Sequence, residues 1–317
     1  MTIREYEVGD VICKEGSEGD FMCEILEGSV AAFKDYGKEG ETLLNEMKAG
    51  EMFGEVALLE SIPRSATVVT LSPGTKIRII SGKEVGDFFQ KEPEEIEKIL
   101  AQLGKKLSSL YGEFRETKAA LRAYKKKGEG DENLLREVSK LLSRSLLHPT
   151  LPERKPSDAE LEARLEQETH EMKYEWEEAV PQKVKTFAPG QVIYREGEEA
   201  KNLYFVSGGC VGICHGYGTD KERLVGKIRE TQFFGELGWM EGAPRYHTAV
   251  ALEEDTRVDL ISREDLMILT QKFPAFVLLI LRDFSTQLRI MTADYQEACK
   301  ELDAITREER RKRRYPM

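Results

Sequence analysis

One short stretch collects residue types that suit a sugar phosphate. Phe53-Gly54-Glu55-Val56-Ala57-Leu58-Leu59 is followed by Pro63-Arg64-Ser65-Ala66. Gly54 lets backbone amides approach a ligand closely. A short helix starting near Val56 aims N–H groups at an anion. Arg64, nine residues after Glu55, supplies the planar fork that suits a phosphate, and Ser65 adds a hydroxyl beside it. Glu55 is a carboxylate able to accept hydrogen bonds from sugar hydroxyls. Anion receptor, cation and sugar acceptor in one loop describe a cyclic nucleotide site. A single Glu–Arg pair of this kind reads as a weak surface ion pair. The recurrence of the whole string reverses that preference.

The string recurs because the chain contains a repeat. Shifted by 181 positions, Tyr6–Gly37 lies over Phe187–Gly218 without a gap. Gly9, Val11, Ile12, Glu15, Gly16, Glu18, Gly28, Val30, Tyr36 and Gly37 then meet identical residues. FGEVALLESIPRSATVV (53–69) lies over FGELGWMEGAPRYHTAV (234–250). The second string keeps Phe234, Gly235, Glu236, Leu237, Pro244 and Arg245. It departs at Gly238, which replaces Ala57, and at Trp239, Tyr246 and His247. A Tyr at 246 could block the pocket, swing away or stack on a base. Glu236 and Arg245 could pair with each other.

The elements around these strings read alike in both copies. Short runs rich in Val, Ile, Phe and Tyr are broken by Gly and acidic turns, which predicts a small antiparallel barrel or jelly roll. After Ile80 the pattern turns helical. Ser81 with Glu84 reads as a capping box before Val85, Phe88 and Phe89. A longer helix is predicted after Pro93, with Ile96, Ile99, Leu100, Leu103, Leu107 and Leu110 on one face. SREDLMILTQKF and the segment after Pro274 repeat this. Residues 113–180 have no counterpart. GEGDE (128–132) reads as a turn, and Leu134, Leu135, Val138, Leu141 and Leu142 give an amphipathic helix. HPTLPERKP (148–156) reads as an elbow, and Ser157 with Glu160 caps a further helix. The expected organisation is a first domain over 1–112, a helical linker or interaction segment over 113–180, a second domain over 181–300 and a basic tail over 301–317.

Composition narrows the functions. The chain has 317 residues, 47 Lys plus Arg against 58 Asp plus Glu, and a net charge of −11. That balance argues against wrapping on nucleic acid. No stretch approaches the ~20 apolar residues of a membrane span. The N-terminus lacks an apolar signal region. Five Cys without framework spacing fit free thiols in a reducing cytosol, so a cytoplasmic location is expected. Cys210 and Cys214 read as small buried residues, Trp176 and Trp239 as packing residues, and His148, His170 and His247 as isolated; no metal is expected. The basic TREERRKRRYPM (306–317) reads as a solvated helix end, against contact with nucleic acid, lipid or an acidic partner. No Walker loop and no nucleophile–base constellation points to an enzyme.

FGE-x-AL-(x)4-PRSAT resembles the phosphate-binding cassette of cyclic nucleotide-binding domains. The preceding YEVGDVICKEGSEGDFMCEILEGSV resembles that family's opening strands. The resemblance implies an α+β fold of two β-roll (jelly-roll) domains with flanking helices, joined by a helical linker. It implies cAMP or cGMP as the ligand. In the first copy Gly54, Glu55, Val56, Ala57, Arg64, Ser65 and Ala66 would form the site. Glu55 would take the ribose 2′-hydroxyl; Arg64, Ser65 and the Ala57 amide would take the phosphate. In the second copy the site would be Gly235, Glu236, Leu237, Gly238, Arg245 and Tyr246. A helix within 94–112 would close as a lid, with Tyr111 a candidate to meet the purine. The implied function is a non-catalytic signalling sensor whose ligand moves lid and linker helices, with a protein partner or a homodimer formed through the helical segments. The alternatives are a scaffold with degenerate pockets and a regulator of the catabolite activator type. About 26 residues after Met291 are too few for the DNA-binding domain of the latter. A kinase-inhibiting subunit would need a pseudosubstrate segment, for which the N-terminus leaves no room.

Overall fold

The computed structural model describes residues 1–127, 138, 140–142, 144, 183–220 and 222–314. The Ser157 cap and the elbow at 148–156 lie outside these residues. In the first copy come β1 (Thr2–Tyr6), β2 (Val11–Cys13), β3 (Phe21–Glu27), β4 (Ser29–Lys34), β5 (Thr42–Lys48) and β6 (Met52–Phe53). Helix α1 (Glu55–Glu60), β7 (Thr67–Thr70), β8 (Thr75–Ser81), α2 (Val85–Lys91) and α3 (Glu94–Lys127) follow. The second copy has β9 (Val184–Phe187), β10 (Val192–Tyr194), β11 (Leu203–Gly208), β12 (Cys210–His215), β13 (Arg223–Arg229) and β14 (Phe233–Phe234). It continues with α4 (Glu236–Trp239), β15 (Thr248–Ala251), β16 (Thr256–Ile261), α5 (Arg263–Lys272) and α6 (Pro274–Arg314).

Each copy folds into two four-stranded antiparallel sheets with the same strand order. These are β1-β8-β3-β6 and β2-β7-β4-β5 in the first copy, and β9-β16-β11-β14 and β10-β15-β12-β13 in the second. The register repeats as well: Cys23 sits opposite Ile79, and Tyr204 opposite Leu260. The mixed architecture is the α+β fold of two β-rolls with flanking helices. Alternating inward positions close each roll over an apolar interior. Cys13, Cys23, Ile25, Val30, Phe53, Val68 and Ile77 fill the first; Tyr194, Tyr204, Val206, Val211, Phe234, Ala249 and Val258 fill the second, position for position. Cys210 and Cys214 are buried free thiols, as their spacing in a strand suggested.

The two helix starts differ. Ser262 caps α5 with a full capping box: its hydroxyl accepts from the Asp265 amide, and the Asp265 carboxylate accepts from the Ser262 amide. Ser81 does not cap α2, which corrects the sequence expectation. It is the last residue of β8, paired with Phe21, and α2 starts four residues later behind Glu84, with no side-chain cap bond. After Ser81 the chain turns through Gly82, where the second copy has Arg263, and the Gly82 amide donates to the Asp20 carbonyl.

The chain divides into two compact units that do not follow chain order. One holds Met1–Gly82, Leu107–Glu153 and Thr286–Met317; the other holds Lys83–Lys106 and Arg154–Ser285. In the first, Val138 and Leu141 pack with Ala120 and Leu121 of α3 and with Ala298 and Leu302 of α6. This is where part of the amphipathic face read from 134–142 is buried. In the second, Gly104 of α3 lies against the second cassette; a Cβ there would sit 2.7 Å from the Met240 Cβ. Helix α6 runs to Arg314, so most of the basic tail continues a helix. No helix among the described residues is long and apolar enough to cross a membrane.

Candidate functional site

The first cassette is built on a left-handed glycine. Gly54 has φ 80°, a conformation that costs an L residue about 1–2 kcal/mol. A Cβ at Gly54 would also collide with Arg64 Nη1. The turn passes directly into α1, whose first N–H groups lack intrahelical acceptors. Arg64 is 3% exposed and anchored by its own backbone, which donates to Ser17 and accepts from Gly16 at 2.8 Å each. Its guanidinium lies over the Phe21 ring, 4.4 Å from the centroid. Nη1 donates to the Gly54 carbonyl at 2.9 Å and Nη2 to the Phe21 carbonyl. Its Nε is buried with no hydrogen-bond partner among the described residues. Glu55 is 3% exposed and Ala57 is buried, while Val56, Ser65 and Ala66 are half-buried. Of the other expected residues, Gly54 lies directly against the Arg64 side chain. A cleft of about 260 Å³ is lined by Val11, Ile12, Cys13, Lys14, Ser17 and Phe21; it meets Arg64 through Ser17 and Phe21. An uncompensated buried guanidinium N–H is costly unless an anion or water reaches it. The group set thus fits a phosphate ester.

The second cassette keeps the arginine and changes what surrounds it. Arg245 is 3% exposed and uses the equivalent carbonyls, Gly235 through Nη1 and Asn202 through Nη2 at 2.6 Å. Its Nε, too, is buried without a partner among the described residues. Among those residues no ion pair joins it to Glu236. The guanidinium instead lies against two rings, Tyr194 at 4.3 Å and Tyr204 at 5.1 Å. Those rings and Phe234 stack on one another, with centroids 5.1 to 6.1 Å apart. Burial raises the Tyr194 hydroxyl, so that ring stays a neutral partner for the cation. Sequence reasoning missed this cage and weighed Tyr246, which is half-buried. The signal was present: at an offset of 181, Tyr194 and Tyr204 stand on Cys13 and Cys23. Two small thiols in the first roll leave room where the second has two phenols.

The helix that should present amides is also broken in the second cassette. Leu237 is at φ −61°, ψ 130°, and Gly238 at φ 85°, ψ −46°. A Cβ at Gly238 would lie 2.6 Å from the Pro244 carbonyl oxygen. The first copy shows how the space is arranged: a Cβ at Gly19 would lie 2.6 Å from the Ala57 Cβ. The repeat carries Ala200 and Gly238 at those two positions, so the methyl group has changed sides. Trp239 is buried under Arg263, which donates through Nη2 to its carbonyl at 2.5 Å and stacks 5.2 Å from its ring. Burial, with Asp283 adding to it, pushes the half-buried Glu236 carboxyl up to about 7 against the pull of Arg245.

The family model described as the cyclic nucleotide-binding domain matches residues 3–92 and again 184–273, more than half of the chain. The chain belongs to the cyclic nucleotide-binding domain family. Among its relatives is a cAMP-dependent protein kinase regulatory subunit of Dictyostelium discoideum, 23% identical over 80% of this chain and 61% of that one. Another is a cGMP-dependent protein kinase of Toxoplasma gondii, 24% identical over 83% of this chain and 20% of that one. The chain thus spans less than two thirds of the length of these relatives. A solved structure of the regulatory domain of Toxoplasma gondii PKA with cAMP is 17% identical over 87% of this chain and 84% of that one, with a TM-score of 0.27.

Proposed function

We propose that the protein is a non-catalytic, cytoplasmic sensor that takes cAMP or cGMP at its first cassette and passes the signal to its helices and to a protein partner. The observation that carries this is the setting of Arg64: a buried guanidinium on a left-handed Gly54 that leads into a regular α1, with a cleft meeting it at Ser17 and Phe21. Arg64 and Ser65 take the cyclic phosphate with the amide of Ala57, and Glu55 takes the ribose 2′-hydroxyl. Gly54, Val56 and Ala66 shape the wall. The second cassette, Gly235 to Gly238 with Arg245 and Tyr246, keeps its arginine as a structural post within the tyrosine cage. The regulatory subunit and the cyclic nucleotide-dependent kinase among the relatives support a regulatory role and a kinase as the kind of partner. On this reading 1–112 and 181–300 are the two nucleotide-binding-type domains, 113–180 is the interaction segment and 301–317 the basic tail. Tyr111, buried on α3, is the lid residue.

Calorimetric titration with cAMP and with cGMP tests the assignment. Saturable heat in the wild type, lost at least about a hundredfold in Arg64→Ala, is the expected result, because a charge-assisted bidentate contact and its buried partner are removed together. Absence of binding by both nucleotides would favour the scaffold alternative.

A further inference from the structure

One buried ion pair ties the first cassette to a helix that follows the second roll. Glu60 is the last residue of α1, five residues after Glu55. Its side chain is 0% exposed, and Arg289 of α6, 18% exposed, donates to it through Nε at 2.7 Å. Both residues belong to the same compact unit. The stretch of α6 that carries Arg289 is held firmly: Tyr295 donates to Glu113 of α3 at 3.0 Å, and Ala298 and Leu302 sit in the core with Ala120, Leu121, Val138 and Leu141.

Stability does not explain such a pair. Two charges removed from water recover their desolvation cost only in part, and apolar replacements of equal volume often serve as well. The pair is also confined to one cassette. The position equivalent to Glu60 is Glu241, but the position equivalent to Arg289 is Ser108, so the second copy lacks the cation. The cassette that has the ion pair is the one with a regular α1. The cassette without it has the broken α4 and the caged arginine.

We propose that Arg289 is a positioning residue that holds α1 in its ligand-competent arrangement and makes α6 the reader of the first cassette. The proposal rests on the nucleotide reading of that cassette. Glu60 and Glu55 share one short helix, so a ligand that draws Glu55 and the α1 amides must move Glu60 with them. Glu60 carries Arg289, because separating the pair would leave a buried carboxylate uncompensated. Coupling of this kind is reciprocal: what stabilises the pair strengthens the ligand, and the ligand stabilises the pair.

The test compares the full-length wild type with Arg289→Met and with the double variant Glu60→Gln/Arg289→Met. cAMP and cGMP are titrated by calorimetry, and amide exchange is followed over 286–300 with and without nucleotide. Thermal melts establish that each variant is folded. The expected result is binding weakened about tenfold in Arg289→Met and restored to within about twofold in the double variant, where no buried charge is left alone. Ligand-induced protection of 286–300 is expected in the wild type and lost in Arg289→Met. Wild-type-like binding and protection in a folded Arg289→Met would overturn the latch and leave the nucleotide site standing. A wild type that binds neither nucleotide would overturn both together. If Arg289→Met fails to fold, absence of ligand-induced protection over 286–300 in the nucleotide-binding wild type refutes the latch on its own.

Discussion

Arg64 and Arg245 make the same two backbone bonds, yet their neighbourhoods give them different work. A guanidinium beside one ring and a cleft can turn toward an anion. One held against two tyrosine rings gives up a cation–π contact worth about 0.5–2 kcal/mol before it can turn. Beside Arg245 in the repeat stands a half-buried acid, where the first copy has the buried Glu55. Glu236 titrates near 7 folded, against an ordinary value of 4.5, so the folded state holds its proton more tightly than the unfolded chain does. This carboxyl costs no stability below about 4.5, destabilises progressively as pH rises, and exacts its full penalty above about 7. Replacing Glu236 by Gln removes that penalty. Melting curves from pH 5 to pH 8 should therefore fall less steeply in Glu236→Gln than in the wild type, with the variant the more stable of the two at pH 8. Parallel curves would mean that the carboxyl is solvated and ionised throughout.

Two equivalent helices show how far a repeated sequence determines a repeated element. Ser81 and Ser262 occupy the same place in the repeat, but only Ser262 forms a capping box: a turn through Gly82 separates Ser81 from α2, whereas Arg263 starts α5 directly. Ser262→Ala should cost about 1 kcal/mol in chemical denaturation, and Ser81→Ala only a few tenths. Equal losses would show that Ser81 acts as a cap in solution. The sequence made the strands, both long helices and the first cassette legible, since alternation, the i, i+3, i+4 spacing after Pro93 and the FGE…PRS string are local signals. It did not show the tyrosine cage, because Tyr194 and Tyr204 lie on β10 and β11, far along the chain from Arg245, and read as ordinary strand residues. It could not show that α6 reaches Glu60 either, since helix periodicity says which face is apolar and nothing about what that face meets. The break at Gly238 was half-legible: the Ala-to-Gly change was visible, and its compensation at Gly19 and Ala200 was not.

In the whole molecule, duplication has preserved the rolls and changed what surrounds each arginine. Interior positions correspond one for one, strand order is identical, and both arginines are buried to the same degree. What differs is the space around each arginine: two thiols and a cleft in one roll, two phenols in the other. A duplicated binding fold free to lose one site can fill it with side chains and gain rigidity, since an aromatic cluster adds about 0.5–1.5 kcal/mol per ring pair beyond area burial. The stoichiometry follows from this division. The wild type should bind one cyclic nucleotide per chain, and Arg245→Ala should leave both stoichiometry and affinity unchanged. The same variant should lose about 2–4 kcal/mol of stability, because the Gly235 and Asn202 carbonyls lose their donors and two rings lose their cation. Arg64→Ala should lose binding and stability together, because the Gly54 and Phe21 carbonyls lose the same two donors. Two binding events per chain, one of them removed by Arg245→Ala, would show that the tyrosine cage opens to admit ligand and that both copies still sense it.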